Sequence, residues 1–458
     1  MDWLTLEWLC GAQFSLAALF HFLFVPLSLG LPLLIAVLQT KDYRRGDETC
    51  QRAARFWGRI FLINFSLVVV SGLGLVLQLG VAWPGLAAYA GGVIGPLLAI
   101  WAGLLFFLTP ACVALWRAGQ ERLGKKPRLA AIWLIFLAGN FSILWLCLAY
   151  GWLQNPGPGA SFIEVSGAAE LVGFGALLAN PYAWGLFAHN IFGAWTLSGF
   201  FVLGVSALRL LFKADQEAYK EVFRRSARLA APFTLAAVLG LALTGYMHAG
   251  SLAETQPAKL AAMAAHWETA PDAPLYLLAW PDQEKETNLA EALPLPGGLN
   301  FLARDTPGFD RPGLRDFPRE DRPPILATFL SFRLMLGLGG LFLLLAGLAA
   351  FCRKSLEKRR WLCRLLVLNL PLPYLALAAG WLLAESGRQP WIIYQVLRAA
   401  QAAPPPRVIG AGPMGVSLIV FGLVYACLGL AAFYLMFKAA SGANTVTSPV
   451  AGSDKDVA

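Results

Sequence analysis

Two histidines lie in stretches of sequence that are otherwise apolar enough for the interior of a bilayer. His21 stands in FHFLFVPLSLG (20–30), and His189 stands in WGLFAHNIFG (184–193). The chain has four histidines in 458 residues. Burying an imidazole is costly unless it binds something. Its usual partners are a haem iron, a proton path or a hydrogen-bond acceptor on another helix. Composition alone leaves these alternatives open.

The elements that carry these histidines are transmembrane helices. The chain is 58% hydrophobic and 14% charged, against roughly 25% charged residues in soluble domains. Apolar runs of about 20 residues, enough to cross a bilayer, recur along its length. They lie near 14–39, 57–80, 93–118, 128–152, 184–212, 227–248, 327–352, 362–384 and 413–437. We therefore predict an all-α polytopic membrane protein of about nine transmembrane helices.

Alternate loops differ in charge, and this difference predicts the orientation. Lys and Arg cluster in the loops at 41–59, 117–128, 213–228 and 353–364. The loops at 81–92 and 153–183 contain neither. The positive-inside rule then places the N-terminus outside and the C-terminus in the cytoplasm of a bacterial-type inner membrane, with Gly308 outside and Lys125 inside. These loops account for most of the net charge of +9, so its expected partner is lipid headgroups and not nucleic acid.

One long polar segment, 249–325, follows the sixth apolar run and is expected outside the membrane. Loops of this length are usually functional or disordered. Its start, AKLAAMAAHWETAP (258–271), could form a short amphipathic helix at the interface, and 305–324 an extended strap.

We take 1–440 as one membrane domain and 441–458 as a disordered cytoplasmic tail. The seven cysteines form no CxxC pair, and neither CxxCH nor a P-loop occurs.

Eight segments in a fixed order carry a family resemblance. They are FHFLFVPLSLG (20–30), RFWGRIFLINF (55–65), GWLQNP (151–156), KLAAMAAHWET (259–269), PDQEKETN (281–288), FRLM (332–335), PLPYLALAAGWLLAESGRQPW (371–391) and FYLMFK (433–438). From about residue 10 to 440 the chain resembles subunit I of the cytochrome bd family of quinol:oxygen oxidoreductases. The resemblance implies nine transmembrane helices, an N-terminus outside, a quinol-binding loop after the sixth helix, and haem.

The resemblance also implies roles for single residues. His189 and Met335 match the two axial ligands of the family's low-spin haem b, and a His/Met pair gives an electron-transfer haem. Arg333 matches a cation beside this haem. His21 matches the axial ligand at a high-spin haem site, and Lys259 a basic residue of the quinol loop. The two remaining histidines, His248 and His266, match no ligand and are expected to be solvated.

The chain departs from the family where the family carries carboxylates. Neutral residues stand at six such positions, which are Val76, Trp101, Thr109, Ala264, Ala378 and Ala432. Protons then lack titratable groups on their way through a low-dielectric slab. We expect low-spin haem b, and the sequence gives little support for high-spin haem b or haem d.

Three functions compete on the sequence alone. The first is a degenerate subunit that holds at most a low-spin haem b, while oxygen reduction occurs in a complete partner subunit. The second is a catalytically active subunit I with displaced ligands. The third is a nine-helix transporter without redox chemistry. We favour the first. Its partner would be either a complete subunit I paralogue or the family's usual second subunit, with quinol as a possible ligand.

Overall fold

The apolar runs form helices long enough to cross a bilayer. A computed structural model describes residues 5–118, 124–157, 161–212, 217–306, 308–405 and 407–441. Within these ranges nine helical segments are long and apolar enough to span a membrane. They are Leu6–Arg45, Glu48–Ala82, Pro84–Ala118, Lys125–Gln154, Pro181–Phe212, Glu217–Thr255, Ile325–Cys352, Arg360–Ser386 and Ala411–Ala440. Each contains one of the nine runs, which confirms the predicted all-α polytopic fold.

Several spans consist of more than one helix, and short helices lie between spans. In chain order the α-helices are α1 (Leu6–Phe22), α2 (Val25–Arg45), α3 (Glu48–Ala82), α4 (Pro84–Gly103), α5 (Thr109–Ala118), α6 (Lys125–Gln154), α7 (Phe174–Leu178), α8 (Pro181–Phe212), α9 (Glu217–Thr255), α10 (Pro257–Ala264), α11 (Gly298–Ala303), α12 (Ile325–Cys352), α13 (Arg360–Leu368), α14 (Leu372–Ser386), α15 (Ala399–Ala402) and α16 (Ala411–Ser441).

Two interruptions fall beside residues of interest. The first span breaks between α1 and α2, directly after His21 and ahead of Pro26, whose ring cannot donate a backbone hydrogen bond. The third span passes through a π-helical turn, Leu104–Leu108, immediately before Thr109. Such turns re-aim the side chains that follow them and are frequent at functional sites.

The helices α8 and α9 make the most extensive helix–helix contact, and α8 is the most deeply buried of the spans. Helix α2 packs on α3, α6 and α8, while α12 packs on α9 and α14. The last helix, α16, touches α1 and α3 with one side. Its other side exposes large apolar residues such as Ile419, Leu423 and Phe433, as expected of a lipid- or subunit-facing surface.

Eight short strands lie outside the spans and form four antiparallel pairs. They are β1 (Phe162–Val165), β2 (Ala168–Leu171), β3 (Ala270–Pro271), β4 (Leu275–Asp282), β5 (Thr287–Leu295), β6 (Asp310–Arg311), β7 (Trp391–Ile393) and β8 (Leu397–Arg398). The pairs are β1–β2, β3–β6, β4–β5 and β7–β8.

The long polar segment is an ordered cap. Its first helix forms where predicted, as α10, but the prediction of an amphipathic interfacial helix is wrong because Ala258–Ala264 are all buried. The segment 305–324 forms β6 and two 3₁₀ turns, held by ion pairs from Arg319 and Arg322 to Glu286. The predicted tail, 441–458, lies outside the described residues apart from its first position.

Candidate haem and quinol sites

His189 is held by the hydroxyl of Thr244. The ring nitrogen Nδ1 lies 3.3 Å from Thr244 Oγ1, across the α8–α9 contact. That hydroxyl donates its own proton to the carbonyl of Gly240 at 2.8 Å, so it accepts from the His189 N–H. Nδ1 therefore carries the proton, and Nε2 keeps a lone pair for a metal, an arrangement typical of ligating histidines.

Glycines leave space beside both members of the predicted ligand pair. A Cβ on Gly245 of α9 would lie 3.1 Å from Cε1 of His189, and a Cβ on Gly380 of α14 would lie 3.3 Å from Met335 Sδ. His189 lies on α8 and Met335 on α12, and α9 and α14 contact both helices. The structure thus places the imidazole and the thioether in one four-helix group, each facing a glycine.

Arg333 connects the cap to α12. Its Nε and Nη2 donate to the carbonyl of Tyr276 at 2.9 and 2.6 Å, and Nη1 donates to the carbonyl of Met263 at 3.1 Å. The guanidinium also lies over the ring of Phe329, 4.3 Å from its centroid. Its predicted place beside a haem stays a prediction, and the structure adds a positioning role for the loop.

His21 has the same kind of anchor as His189. Its Nδ1 lies 2.8 Å from Ser71 Oγ. The Ser71 hydroxyl donates to the carbonyl of Leu67 at 2.5 Å, so it accepts from the imidazole and leaves Nε2 free. His21 is 4% exposed and lines an apolar cavity. The geometry suits a metal ligand as well as a buried hydrogen-bonding residue.

Two of the six positions that lack a carboxylate line this cavity. Trp101 and Thr109 line it together with His21. Trp101 is buried and packs edge-on against Phe106, while Thr109 Oγ1 donates to the carbonyl of Leu104. Ala432 lies in the same apolar cluster as Trp101. The cavity volume is about 40 Å³, which is room for a few water molecules. Trp101 and His21 thus border the same small apolar cavity.

Lys259 is buried beside the C-terminal ends of α6 and α14. Its Nζ donates to the carbonyl of Ala384 at 3.3 Å, and its side chain packs on Gly387. Burial, reinforced by the nearby positive charge of Arg388 and opposed by Glu385, lowers the pKa of Lys259 to about 7. A lysine in this state exchanges a proton near neutral pH.

Two of the motifs that carried the resemblance meet at Lys259. Gln154 of GWLQNP donates to the carbonyl of Ala384, just before GRQPW. Gln256 in turn donates to the backbone carbonyl and side chain of Gln154. Helix α10, which carries Lys259, is thereby fixed against both motifs. Lys259, Gln154 and Gln256 thus form a polar site that the cap covers.

Sequence reasoning missed Glu385 at this site. One carboxylate oxygen accepts from the Tyr150 hydroxyl at 2.5 Å, and the other accepts from Arg388 at 2.9 Å. Arg388 is 4% exposed. The signal was present, since Glu385 precedes GRQPW at the end of an apolar run. The loss of membrane carboxylates is therefore less complete than the sequence analysis inferred.

The expectation that His248 and His266 are solvated is wrong. His248 packs edge-on against Tyr182, with ring centroids 4.6 Å apart. Its Nδ1 is enclosed and has no hydrogen-bond partner among the described residues. His266 is half-buried, and its Nε2 pairs with the carbonyl of Arg311. Burial lowers the pKa of His266. Both are enclosed because the loop folds back as a cap.

The His189/Met335 pair fits a haem better than His21 does. No group of three or more His, Cys, Asp or Glu side chains that could hold a free metal ion occurs in the part of the chain that the structure describes. A haem needs one or two axial donors. His189 with an anchored Nδ1, Met335, and a glycine facing each of them fit a low-spin haem b. At His21 the donor fits, but the adjacent cavity, which Trp101 borders, has a volume of about 40 Å³ and holds only a few water molecules.

Known proteins resemble this chain over nearly its full length. The family model for cytochrome bd terminal oxidase subunit I matches residues 9–443. The chain is 36% identical to cytochrome bd ubiquinol oxidase subunit 1 of Bacillus subtilis (strain 168), over 94% of this chain and 92% of that protein. It is 32% identical to cytochrome bd-II ubiquinol oxidase subunit 1 of Escherichia coli (strain K12), over 93% and 94%.

A solved structure shares the fold. The bd oxidase from Geobacillus thermodenitrificans superposes with a TM-score of 0.85 at 26% identity, covering 96% of this chain and 99% of that one.

Proposed function

Because this chain belongs to the family of cytochrome bd terminal oxidase subunit I, and the family implies haem, we propose that it is a partner subunit of a bd-type quinol oxidase. In this proposal it holds a low-spin haem b, and oxygen reduction occurs in a complete subunit beside it. Residues 1–440 form its membrane domain, with 249–325 as the quinol loop. The N-terminus faces outward and the C-terminus faces the cytoplasm, in a bacterial-type inner membrane.

One observation carries the proposal. Trp101 and Thr109 border the cavity at His21, where the family resemblance calls for carboxylates. An indole and a hydroxyl bonded to the backbone neither ligate iron nor carry protons through a low-dielectric interior. His21 is thus the one titratable side chain among the described residues that line this cavity, which supports placing oxygen reduction in another subunit.

The low-spin site supports the part assigned to this subunit. His189 and Met335 would hold the haem, and a His/Met-ligated haem passes single electrons without binding oxygen. Thr244 fixes the imidazole, while Arg333 and Lys259 hold the cap over the same helices. A quinol bound under the cap would lie beside the helices that carry the haem ligands.

A second function is favoured by two specific contacts. His21 keeps a free Nε2 beside the cavity, and Glu385 supplies a half-buried carboxylate near the outer ends of the spans. Both features suit the catalytically active subunit with displaced ligands. Family membership gives no support to the transporter alternative.

Reduced-minus-oxidised spectra and mutants of the purified complex test the proposal. We expect His189→Ala to abolish the low-spin haem b signal of this subunit, and Met335→Leu to shift it toward a high-spin form with a lower potential. His21→Ala should leave oxygen consumption intact. If His21→Ala abolishes oxygen consumption while assembly and the low-spin signal stay normal, the subunit is catalytic and the second function is correct.

A further inference from the structure

His248 differs from the two anchored imidazoles. Both His21 and His189 donate from Nδ1 to a hydroxyl, which fixes their tautomer. His248 Nδ1 is enclosed without a partner among the residues that the structure describes, and the residue remains partly exposed. No hydrogen bond selects one tautomer of this ring. An imidazole of this kind is suited to receive and release a proton rather than to ligate a metal.

His248 lies between the predicted haem ligand and the quinol loop. It is one helical turn beyond Thr244 on α9, and Thr244 contacts His189. It faces Gly185, which is one turn before His189 on α8 and whose Cβ would lie 3.1 Å from Nδ1. A turn of four residues rises about 6 Å. His248 is therefore about 6 Å closer to the outer surface than His189.

The position of the missing loop carboxylate belongs to the same buried cluster as Tyr182, the residue that His248 contacts. Ala264 lies in one apolar cluster with Tyr182, Met263 and Leu260, and Met335 packs against that cluster. His248 contacts Tyr182 from the α9 side. A proton acceptor at His248 would thus serve the space that a carboxylate at position 264 serves in the family.

The ionisable groups near His248 come from two neighbouring helices. Tyr182 of α8 contacts its ring, and His189 on α8 and Lys259 on α10 lie close enough to interact with it electrostatically. Arg304, just past α11, packs on Gly250 instead. His248 therefore links the low-spin site to the polar cluster of Lys259, which lies beneath the cap.

We propose that His248 is the proton acceptor for quinol oxidation in this chain, in place of the carboxylate absent at position 264. The inference rests on the proposed function, which supplies the electron acceptor. A quinol that becomes a quinone gives up two electrons and two protons. The two electrons would pass one at a time to the haem b that His189 and Met335 would hold. The two hydroxyl protons pass one after the other to the His248 imidazole, which releases the first toward the outer surface before it accepts the second, so charge and atoms balance.

Stopped-flow reduction of the purified complex by a soluble quinol tests the proposal. We expect His248→Asn to slow reduction of the low-spin haem by about a hundredfold, the usual effect of removing a general base. It should also abolish the inflection in the pH profile of that rate. Reduction by dithionite, which needs no proton acceptor, should be unchanged. Redox-difference infrared spectra with labelled histidine should lose an imidazole protonation band. Met247→Ala, on the exposed side of the same turn, is the matched control.

A second variant separates chemistry from packing. Ala264→Glu added to His248→Asn should restore at least a tenth of the rate, since it returns a carboxylate to the family position. A His248→Asn rate within twofold of the unmodified rate, with the dithionite spectrum intact, overturns this proposal alone. An unmodified complex whose chain carries no low-spin haem overturns the proposed function and this inference together.

Discussion

The hydroxyl groups behind His21 and His189 matter as much as the imidazoles. Ser71 and Thr244 each donate to a backbone carbonyl in their own helix and accept from Nδ1. This double use of one hydroxyl sets which ring nitrogen can ligate iron. A sequence shows the histidines, because they are rare in apolar runs. It does not show their partners, because serine and threonine are common in transmembrane helices and only the packing of two helices brings each one to its ring.

Thr244→Val tests this positioning role. Valine keeps the shape but cannot accept from His189. We expect affinity for haem b to fall about tenfold, and the midpoint potential to rise because a less basic imidazole stabilises ferric iron less well. Redox titration and haem quantification measure both. Thr244→Ser keeps the hydroxyl and should behave as the unmodified chain does. Equal potentials in the valine and serine variants would contradict the assigned tautomer.

Lys259 gives a pH dependence with a definite sign. Burial lowers its pKa from 10.5 to about 7, while the unfolded chain keeps the ordinary value. Between about pH 7 and 10 the unfolded chain binds one more proton, so the free energy of unfolding contributed by this group rises with pH. Below pH 7 Lys259 is charged in both the folded and the unfolded chain. Its burial then lowers the free energy of unfolding by an amount that does not change with pH.

The variant Lys259→Met tests this pH dependence. We expect it to raise the melting temperature of the purified complex at pH 6 relative to the unmodified protein, and to lose that advantage by pH 9.5. Lys285→Met, at an exposed position on the cap, is the control and should show the same difference at both pH values. Melting curves by differential scanning fluorimetry measure the effect. A pH-independent difference for Lys259→Met would show that Lys259 titrates normally.

At the scale of elements, the cap is where prediction from sequence was weakest. The spans follow from hydropathy, because each must bury about 20 apolar residues in lipid. The position of α10 follows from its alanine-rich sequence, but its burial does not. The burial of α10 depends on contacts with Arg333 and Gln154, which are distant in sequence, and on Gln256, which directly precedes the helix. These contacts form only when the chain is folded. The pairing of β4 with β5 has only the turn residues at 283–286 as a local signal.

Arg333→Gln tests whether this one side chain holds the cap. Hydrogen bonds from a charged donor contribute about 1.5–3 kcal/mol each, and Arg333 bonds to carbonyls of both α10 and β4. We expect faster hydrogen exchange in peptides that cover 257–282, measured by mass spectrometry, with no change in α8 or α9. Arg353→Gln, at the opposite end of the same span, is the control. Unchanged exchange in the cap would show that the ion pairs of Glu286 suffice.

At the scale of the whole molecule, the number of spans and the orientation rest on different signals. The nine spans follow from apolar length and agree with the structure. The orientation rests on charge asymmetry alone, since helix packing is the same whichever side faces the cytoplasm. Acidic partners accompany some of the basic loops, as in the contacts of Arg224 with Glu217 and Glu357. The positive-inside rule counts Lys and Arg and gives acids little weight, so these pairs leave the predicted orientation unchanged.

Cysteine labelling from each side of the membrane tests that orientation. Gly308 has a φ of +80°, a conformation that a cysteine would strain, so the exposed turn residue Glu284 is the better outer position. Lys125, exposed at the start of α6, is the inner one. Six native cysteines are buried, and the exposed Cys427 lies within the last span, so background labelling by a charged maleimide should be low. We expect intact spheroplasts to label Glu284→Cys and to leave Lys125→Cys unlabelled until the membrane is permeabilised. The reverse pattern would place the cap in the cytoplasm and remove the outward proton release assigned to His248.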